Sequence, residues 1–214
     1  MGYTHYWRRK KDIDSSTFQK IVDDFKKVLP KVVEYGVKLA DGLGEGEPEI
    51  NYDIIRFNGA VHCGHPENAE IITPWPSDDT GGIANPEESV KVDNWYAGAM
   101  IQKRCCDGDC SYETFEFERE LTPYDWDEPE DGKYFRFCKT AFRPYDLAVI
   151  SFLIIAKKHL KERIIISSDG KDNLWFDGKF LCHLELGYGL DFSLGEEDGL
   201  RNVLLKSEAE DGYE

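Results

Sequence analysis

The sequence is poor in basic residues, with 26 Lys and Arg against 42 Asp and Glu and a formal net charge of −16. This charge repels phosphate backbones at long range, so we expect no binding to DNA or RNA. The single basic run, residues 8–11, follows a predicted strand and is interpreted as a solvated turn. An acidic chain instead favours a basic protein surface as partner, or mimics nucleic acid in front of a DNA-binding protein.

Long apolar runs are also missing. The longest, residues 147–156, is about half of the roughly 20 residues that a membrane-spanning helix needs. The first residues lack the charged start and apolar run of a signal peptide. We therefore expect a cytoplasmic chain without a membrane partner, in which the six cysteines are free thiols or metal ligands rather than disulfides.

The commonest enzyme signatures are absent. The chain has no phosphate-binding Gly-x₄-Gly-Lys-Ser/Thr loop, no Gly-x-Ser-x-Gly elbow and no His-Glu-x-x-His helix. The sequence therefore does not decide whether the chain is an enzyme, but it lacks the signatures of these familiar mechanisms.

Periodicity predicts the secondary structure. Residues 113–119 alternate polar and apolar, typical of a strand, and apolar residues at a three-four spacing predict a helix from Ser16 that Pro30 kinks or splits. The element order predicts an α+β fold, a mainly antiparallel sheet with helices on one face in a ferredoxin-like α/β sandwich. We expect a single domain over residues 1–206 and a disordered acidic tail over 207–214.

Residues 60–111 lack periodicity and are predicted to form a long irregular insertion that something must order. This segment contains two close groups of metal-ligand type, His62-Cys63-Gly64-His65 and Cys105-Cys106-Asp-Gly-Asp-Cys110. Thiolate and imidazole ligands from two tight turns suit a closed, structural zinc site. We predict one zinc per chain, held by Cys63, His65, Cys106 and Cys110, with Cys105 or His62 as substitutes. The alternatives are buried free thiols with surface histidines, a disulfide or a redox pair.

A second candidate site lies where Pro144 is predicted to start a buried helix. Free backbone N–H groups and the positive end of the helix dipole attract phosphate or carboxylate there. The predicted anion-binding residues around this helix start are Lys139, Thr140, Arg143, Tyr145 and Asp146. In the alternative interpretation Thr140 caps the helix, Asp146 complements its dipole and both cations are solvated.

A third candidate is a dispersed polar set that forms a pocket only if strand ends converge. In that pocket His5 and Glu113 could act as general base and acid, with Lys139 beside them. Further members are Asn58, Tyr145, Ser167, Ser168 and Asp169. The alternative is that His5 is a hydrogen-bonded core residue and that residues 167–170 form a turn.

Several short motifs are distinctive in combination: Gly-Tyr-Thr-His-Tyr-Trp at 2–7, Gly-Glu-Pro-Glu-Ile-Asn at 46–51, Phe-Asn-Gly at 57–59, Glu-Thr-Phe at 113–115, Phe-Cys-Lys-Thr-Ala at 137–141, Pro-Tyr-Asp at 144–146 and Ser-Ser-Asp-Gly at 167–170. In these motifs the chain resembles a group of uncharacterised proteins encoded by bacteriophages and prophages. The resemblance implies a viral accessory protein in a host cytoplasm and brings no known activity.

The leading functional hypothesis is an accessory protein that binds a host protein through its acidic surface, or a small anionic ligand at the second helix start. An enzyme acting on a small nucleotide-like substrate, with His5, Glu113 and Lys139 in its pocket, is the alternative. An acidic nucleic-acid mimic is a third.

Overall fold

The computed structural model describes residues 3–66, 69–72, 95–96, 99–100, 103–196 and 199–203. The predicted acidic tail and much of the predicted insertion lie outside these residues. The described elements are helices and antiparallel strands, which confirms the α+β class. Within the described part of the chain, no helix is long and apolar enough to cross a membrane.

The described residues contain three α-helices, which are α1 (Ser15–Glu34), α2 (Asp146–Leu160) and α3 (Phe176–Leu186). Helix α1 begins after Asp14, whose carboxylate accepts a hydrogen bond from the backbone N–H of Thr17 at 2.9 Å. The predicted split at Pro30 is wrong, because α1 continues through this residue to Glu34. Helix α2 is buried on nearly all sides, as its composition predicts.

The strands form two main sheets. In the first, β1 (Thr4–Lys10) lies between β10 (Lys133–Lys139) and β11 (Ile164–Ser168). In the second, β4 (Ile54–Gly59) pairs with β2 (Leu39–Ala40), β3 (Glu49–Ile50) and β9 (Phe115–Glu118). The ferredoxin-like arrangement is not confirmed, since these strands do not join in one sheet order.

Three smaller pairs complete the described strands: β5 (Ala69–Ile72) with β8 (Lys103–Cys106), β6 (Trp95–Tyr96) with β7 (Ala99–Met100), and β12 (Phe192–Gly195) with β13 (Gly199–Asn202). Short 3₁₀ turns occupy Lys161–Arg163 and Asp172–Trp175. The pairs β5–β8 and β6–β7 lie inside the predicted insertion, so part of it is regular, while residues 60–66 and 107–111 carry no helix or strand, as predicted. Pairing satisfies backbone groups even where side chains show no periodicity.

The core fills the space between the helices and the inner faces of the sheets. Aromatic rings from α2, β9 and β1 meet there: Phe152 lies 5.1 Å from Phe115 and 5.0 Å from Phe117, centroid to centroid. The alternation predicted for residues 113–119 is confirmed, because both phenylalanines of β9 are buried. The solvated turn predicted at residues 8–11 is wrong, since β1 includes Arg9 and its side chain is buried.

Candidate metal centre

The four residues predicted to bind zinc come together in the structure. One ligand atom from each of Cys63, His65, Cys106 and Cys110 lies within 4.8 Å of all the others. The Sγ atom of Cys106 lies 3.4 Å from that of Cys63 and 3.1 Å from that of Cys110, and His65 Nδ1 lies 3.2 Å from Cys110 Sγ. In a zinc–thiolate tetrahedron the sulfur atoms are about 3.8 Å apart, so small shifts would admit the ion.

Two glycines allow these ligands to converge. Gly64 has φ +70°, a left-handed conformation that turns the chain between Cys63 and His65. Gly59 ends β4 at the point where the loop after β8 crosses it. A Cβ atom at this position would lie 1.9 Å from the carbonyl oxygen of Cys110. The β4 end and the loop therefore approach closely enough to bring both ligand pairs to one point.

The protein environment alone does not ionise the three thiols. Burial raises the pKa of Cys106 and of Cys110, and for Cys110 hydrogen bonding with the other two thiols raises it further. Burial also acts against ionisation of Cys63, but the backbone N–H of His65 stabilises its thiolate and lowers its pKa. A divalent cation would favour the thiolate form of all three.

The two substitutes proposed for this site do not join it. Cys105 is exposed, because it alternates with Cys106 along β8 and its side chain leaves on the opposite face. His62 is exposed and lies outside the cluster. The cluster that could hold a metal ion therefore consists of the four primary residues.

Strand β8 also carries Arg104, which connects the metal cluster to two helix starts. Its buried guanidinium donates to Asp146 from Nε at 3.1 Å and from Nη2 at 3.0 Å. The same guanidinium donates to Asp177 from Nη1 and, at 3.3 Å, from Nη2. Asp146 opens α2 and Asp177 lies in the first turn of α3, so one strand ties the cluster to both helices.

The carboxylate of Asp146 is the centre of this buried network. Its Oδ1 accepts hydrogen bonds from His5 Nε2 at 2.7 Å and from Thr140 Oγ1 at 2.6 Å. Burial would raise the pKa of Asp146, but the neighbouring His5 and Arg104 outweigh it and hold the pKa below its ordinary value. The sequence interpretation placed His5, Thr140 and Asp146 in candidate sites but missed Arg104 and Asp177. The one available signal was the two-residue spacing of Arg104 and Cys106, typical of one strand face.

The structure does not assemble the predicted anion pocket at the start of α2. The ammonium of Lys139 lies 5.4 Å from the ring centroid of Tyr112, and Arg143 pairs with Asp107 at 3.0 Å. The carboxylate of Asp146 already occupies the positive end of the helix. An added anion would meet this charge, so the geometry does not favour a site there.

The dispersed polar set mainly satisfies backbone groups. Glu113 accepts from the backbone N–H of Lys139 at 2.7 Å, and the hydroxyl of Tyr145 donates to the carbonyl of Glu113 at 2.7 Å. Asn58 lies within β4 rather than in a turn, and its amide bonds both backbone groups of Tyr112 at 3.0 Å. These contacts hold neighbouring segments together.

Of the remaining members, Ser167 and Ser168 end β11 and Asp169 begins the bend that follows it. Asp169 accepts from the backbone N–H of Thr4 and from the hydroxyl of Tyr6, both at 3.0 Å. Ser168 donates to the carbonyl of Thr4 at 3.3 Å. The turn that the alternative interpretation placed at residues 167–170 is therefore limited to Asp169 and Gly170.

Comparisons with known proteins give no information on the function of these residues. No family model, curated protein or solved structure matches the chain. Function must therefore be inferred from the side chains themselves.

Replacing Asp146 with Asn should reduce the acid sensitivity of the fold. Because the folded-state pKa of Asp146 is depressed, its ionisation stabilises the protein above the unfolded pKa of about 3.9, and this stabilisation is lost as pH falls through the folded pKa. We expect the gap in unfolding free energy between parent and variant to be constant from neutral pH to about pH 5, and to narrow below about pH 4.

Urea unfolding at a series of pH values measures this gap. Repeating the series with excess chelator separates the loss of the Asp146 charge from the effect of metal release at low pH. The exposed Asp125→Asn is the matched control. A gap that stays constant down to the lowest pH would show that Asp146 contributes nothing through its charge.

Proposed function

We propose that the chain is a zinc-containing protein that acts by binding a basic protein partner. The closed ligand set of the metal cluster carries this proposal. Three thiols and one imidazole would complete a tetrahedron around zinc and leave no position for water or substrate, as in structural rather than catalytic zinc sites. Thiolate ligands favour zinc over the hard cations Mg²⁺ and Ca²⁺, which take oxygen ligands.

Burial of the other candidate groups supports binding over catalysis. His5 and Asp146 are each 0% exposed, so neither reaches a substrate at the surface. A general base must come within hydrogen-bonding distance of the proton that it removes. The His5–Asp146–Arg104–Asp177 network is better explained as the attachment of β8 to the helices.

The acidic loop between β9 and β10 is the surface that best fits a protein partner. Trp126 is 70% exposed and stacks on Tyr124, with ring centroids 5.0 Å apart. Asp125, Glu128 and Asp131 are exposed around this aromatic pair. An aromatic anchor within a charged rim is typical of protein interfaces. The resemblance to phage and prophage proteins supports a bacterial host protein as the partner.

Neutralising this loop should reduce capture of the partner. We expect the zinc-loaded parent to capture a basic protein from bacterial lysate at about 0.1 M salt and to capture less of it at about 1 M, because the Debye length falls from about 10 Å to about 3 Å. Trp126→Ala should reduce capture at both salt concentrations. The triple variant Asp125→Asn, Glu128→Gln, Asp131→Asn should reduce it mainly at low salt.

The matched control removes the same charge from another surface, with Glu34→Gln, Glu45→Gln and Glu47→Gln. Equal capture by this control and by the loop variant would mean that net charge alone attracts the protein. Capture that is insensitive to salt and to Trp126 would contradict the proposed surface.

A further inference from the structure

A cleft of about 200 Å³ lies between β1, β9 and β10, away from the metal cluster. Its lining has a buried floor and an exposed rim. Trp7 and Arg9 of β1 line the floor and are 2% and 1% exposed. Tyr124 and Phe137 at the rim are about half exposed. The volume suits a molecule of a few heavy atoms up to the size of an amino acid.

The floor offers two hydrogen-bond donors that the described part of the protein does not use. Neither Trp7 Nε1 nor Arg9 Nε finds an acceptor among the described residues, although both atoms are buried. Leaving a buried donor unpaired is unfavourable, by roughly 1–3 kcal/mol. Two such donors, two residues apart on one face of β1, point to an acceptor that the described residues do not supply.

Arg9 also carries a buried charge without a carboxylate partner among the described residues. Its terminal nitrogens donate only to backbone carbonyls, those of Lys10, Lys11 and Glu118, and its guanidinium lies 4.6 Å from the ring centroid of Phe117. Burial lowers the pKa of Arg9 to about 10. Buried cations are normally paired with an anion, whereas Arg9 has only the longer-range attraction of Glu118 and Asp12, which opposes part of the effect of burial on its pKa.

The other charges that line the cleft are largely engaged by residues outside it. Arg136 pairs with Asp127 at 2.9 Å, and Glu116 pairs with Arg56 at 2.6 Å. Glu118 is different: its carboxylate accepts a hydrogen bond from the backbone N–H of Thr122 at 3.2 Å and forms no ion pair among the described residues. Among the described residues, the cleft thus holds one cation at the floor and one carboxylate that attract each other but form no ion pair.

We propose that this cleft binds a small zwitterion of the amino-acid class. The ligand's carboxylate accepts from Trp7 Nε1 and Arg9 Nε, and its ammonium group faces Glu118. A simple anion would gain at the floor but meet Glu118, and a simple cation would meet Arg9. Only a molecule with both charges compensates both residues.

Calorimetric titration of the zinc-loaded full chain tests this proposal with free amino acids, their carboxamides and their N-acetyl forms. We expect binding of one or more amino acids and at least tenfold weaker binding of both derivatives, since each lacks one charge. The derivatives also separate a free zwitterion from a chain end, because a peptide carboxyl terminus resembles the N-acetyl form. Equal affinity for an amino acid and its N-acetyl form would overturn the proposal, as would no binding by the parent.

Two conservative variants assign the contacts without disturbing the fold. Trp7→Phe removes the indole N–H, which has no acceptor among the described residues, and should weaken amino-acid binding about tenfold. Glu118→Gln should abolish the preference for amino acids over their N-acetyl forms. Glu116→Gln is the matched control, because Arg56 already engages that carboxylate, and should bind like the parent. Unchanged affinity in both test variants would also overturn the proposal.

Discussion

Replacing Arg104 with methionine is expected to lower the free energy of unfolding by about 3–5 kcal/mol, because the change removes the guanidinium charge that pairs with two buried carboxylates. Asp146 and Asp177 are 0% and 4% exposed, and each loses hydrogen bonds that water cannot replace. Methionine keeps most of the side-chain volume. The effect therefore reports buried charge rather than a cavity.

Urea unfolding of the zinc-loaded protein at neutral pH measures the difference. Arg143→Met is the matched control, since this arginine pairs with Asp107 at the surface and such pairs contribute about 0–1 kcal/mol. Adding Asp146→Asn and Asp177→Asn to Arg104→Met should recover part of the loss, because it removes the two buried carboxylate charges that Arg104 no longer balances. A loss no larger than that of the control would mean that Arg104 does not anchor β8.

The candidate metal site could be predicted from the sequence because its residues are chemically specific. Cysteine and histidine in close pairs have few roles in a reducing compartment, so Cys63, His65, Cys106 and Cys110 stand out without any knowledge of the fold. The long amphipathic pattern of α1 was equally clear, because twenty residues repeat the same face.

The partners of Arg104 could not be predicted in this way. A lone arginine in a four-residue strand gives no sign of being buried, and its partners lie 42 and 73 residues away in the sequence. Arg9 was misread for a related reason. Its basic neighbours suggested a solvated turn, whereas the alternation of β1 turns its side chain inward. In both cases, pairing between segments that are distant in the sequence determines that the arginine is buried. The local sequence pattern does not show this pairing.

Asn58 shows the same limit at the level of the backbone. Asn-Gly usually favours a tight turn, yet here both residues extend β4. The Asn58 side chain bonds Tyr112, and Gly59 leaves room for Cys110. The dipeptide thus allows the loop that carries Cys110 to pack against β4. This tertiary requirement overrides the turn preference of Asn-Gly.

Replacing Cys106 with serine is expected to abolish zinc binding and to release β8 from the core. Cys106 contacts both other thiols of the cluster, at 3.4 and 3.1 Å, so its loss opens the tetrahedron. Native mass spectrometry should find one zinc per parent chain and none in the variant. At free zinc about a thousandfold above its Kd, the bound ion stabilises the folded state by about 4 kcal/mol, and the variant should lose an amount of this order.

Cys105→Ser is the matched control, since it changes the neighbouring residue of the same strand on its exposed face. It should keep both zinc and stability. Arg104 and Cys106 both fix β8 through side chains on the same face of the strand. The stability losses of their single variants should therefore not be additive. The double variant Arg104→Met, Cys106→Ser should fall short of the sum of the single effects by about 0.5–3 kcal/mol. If the parent folds without zinc and a chelator does not change its stability, the proposed metal site is wrong. If the stability losses are strictly additive, the cluster and the Arg104 network stabilise the protein independently.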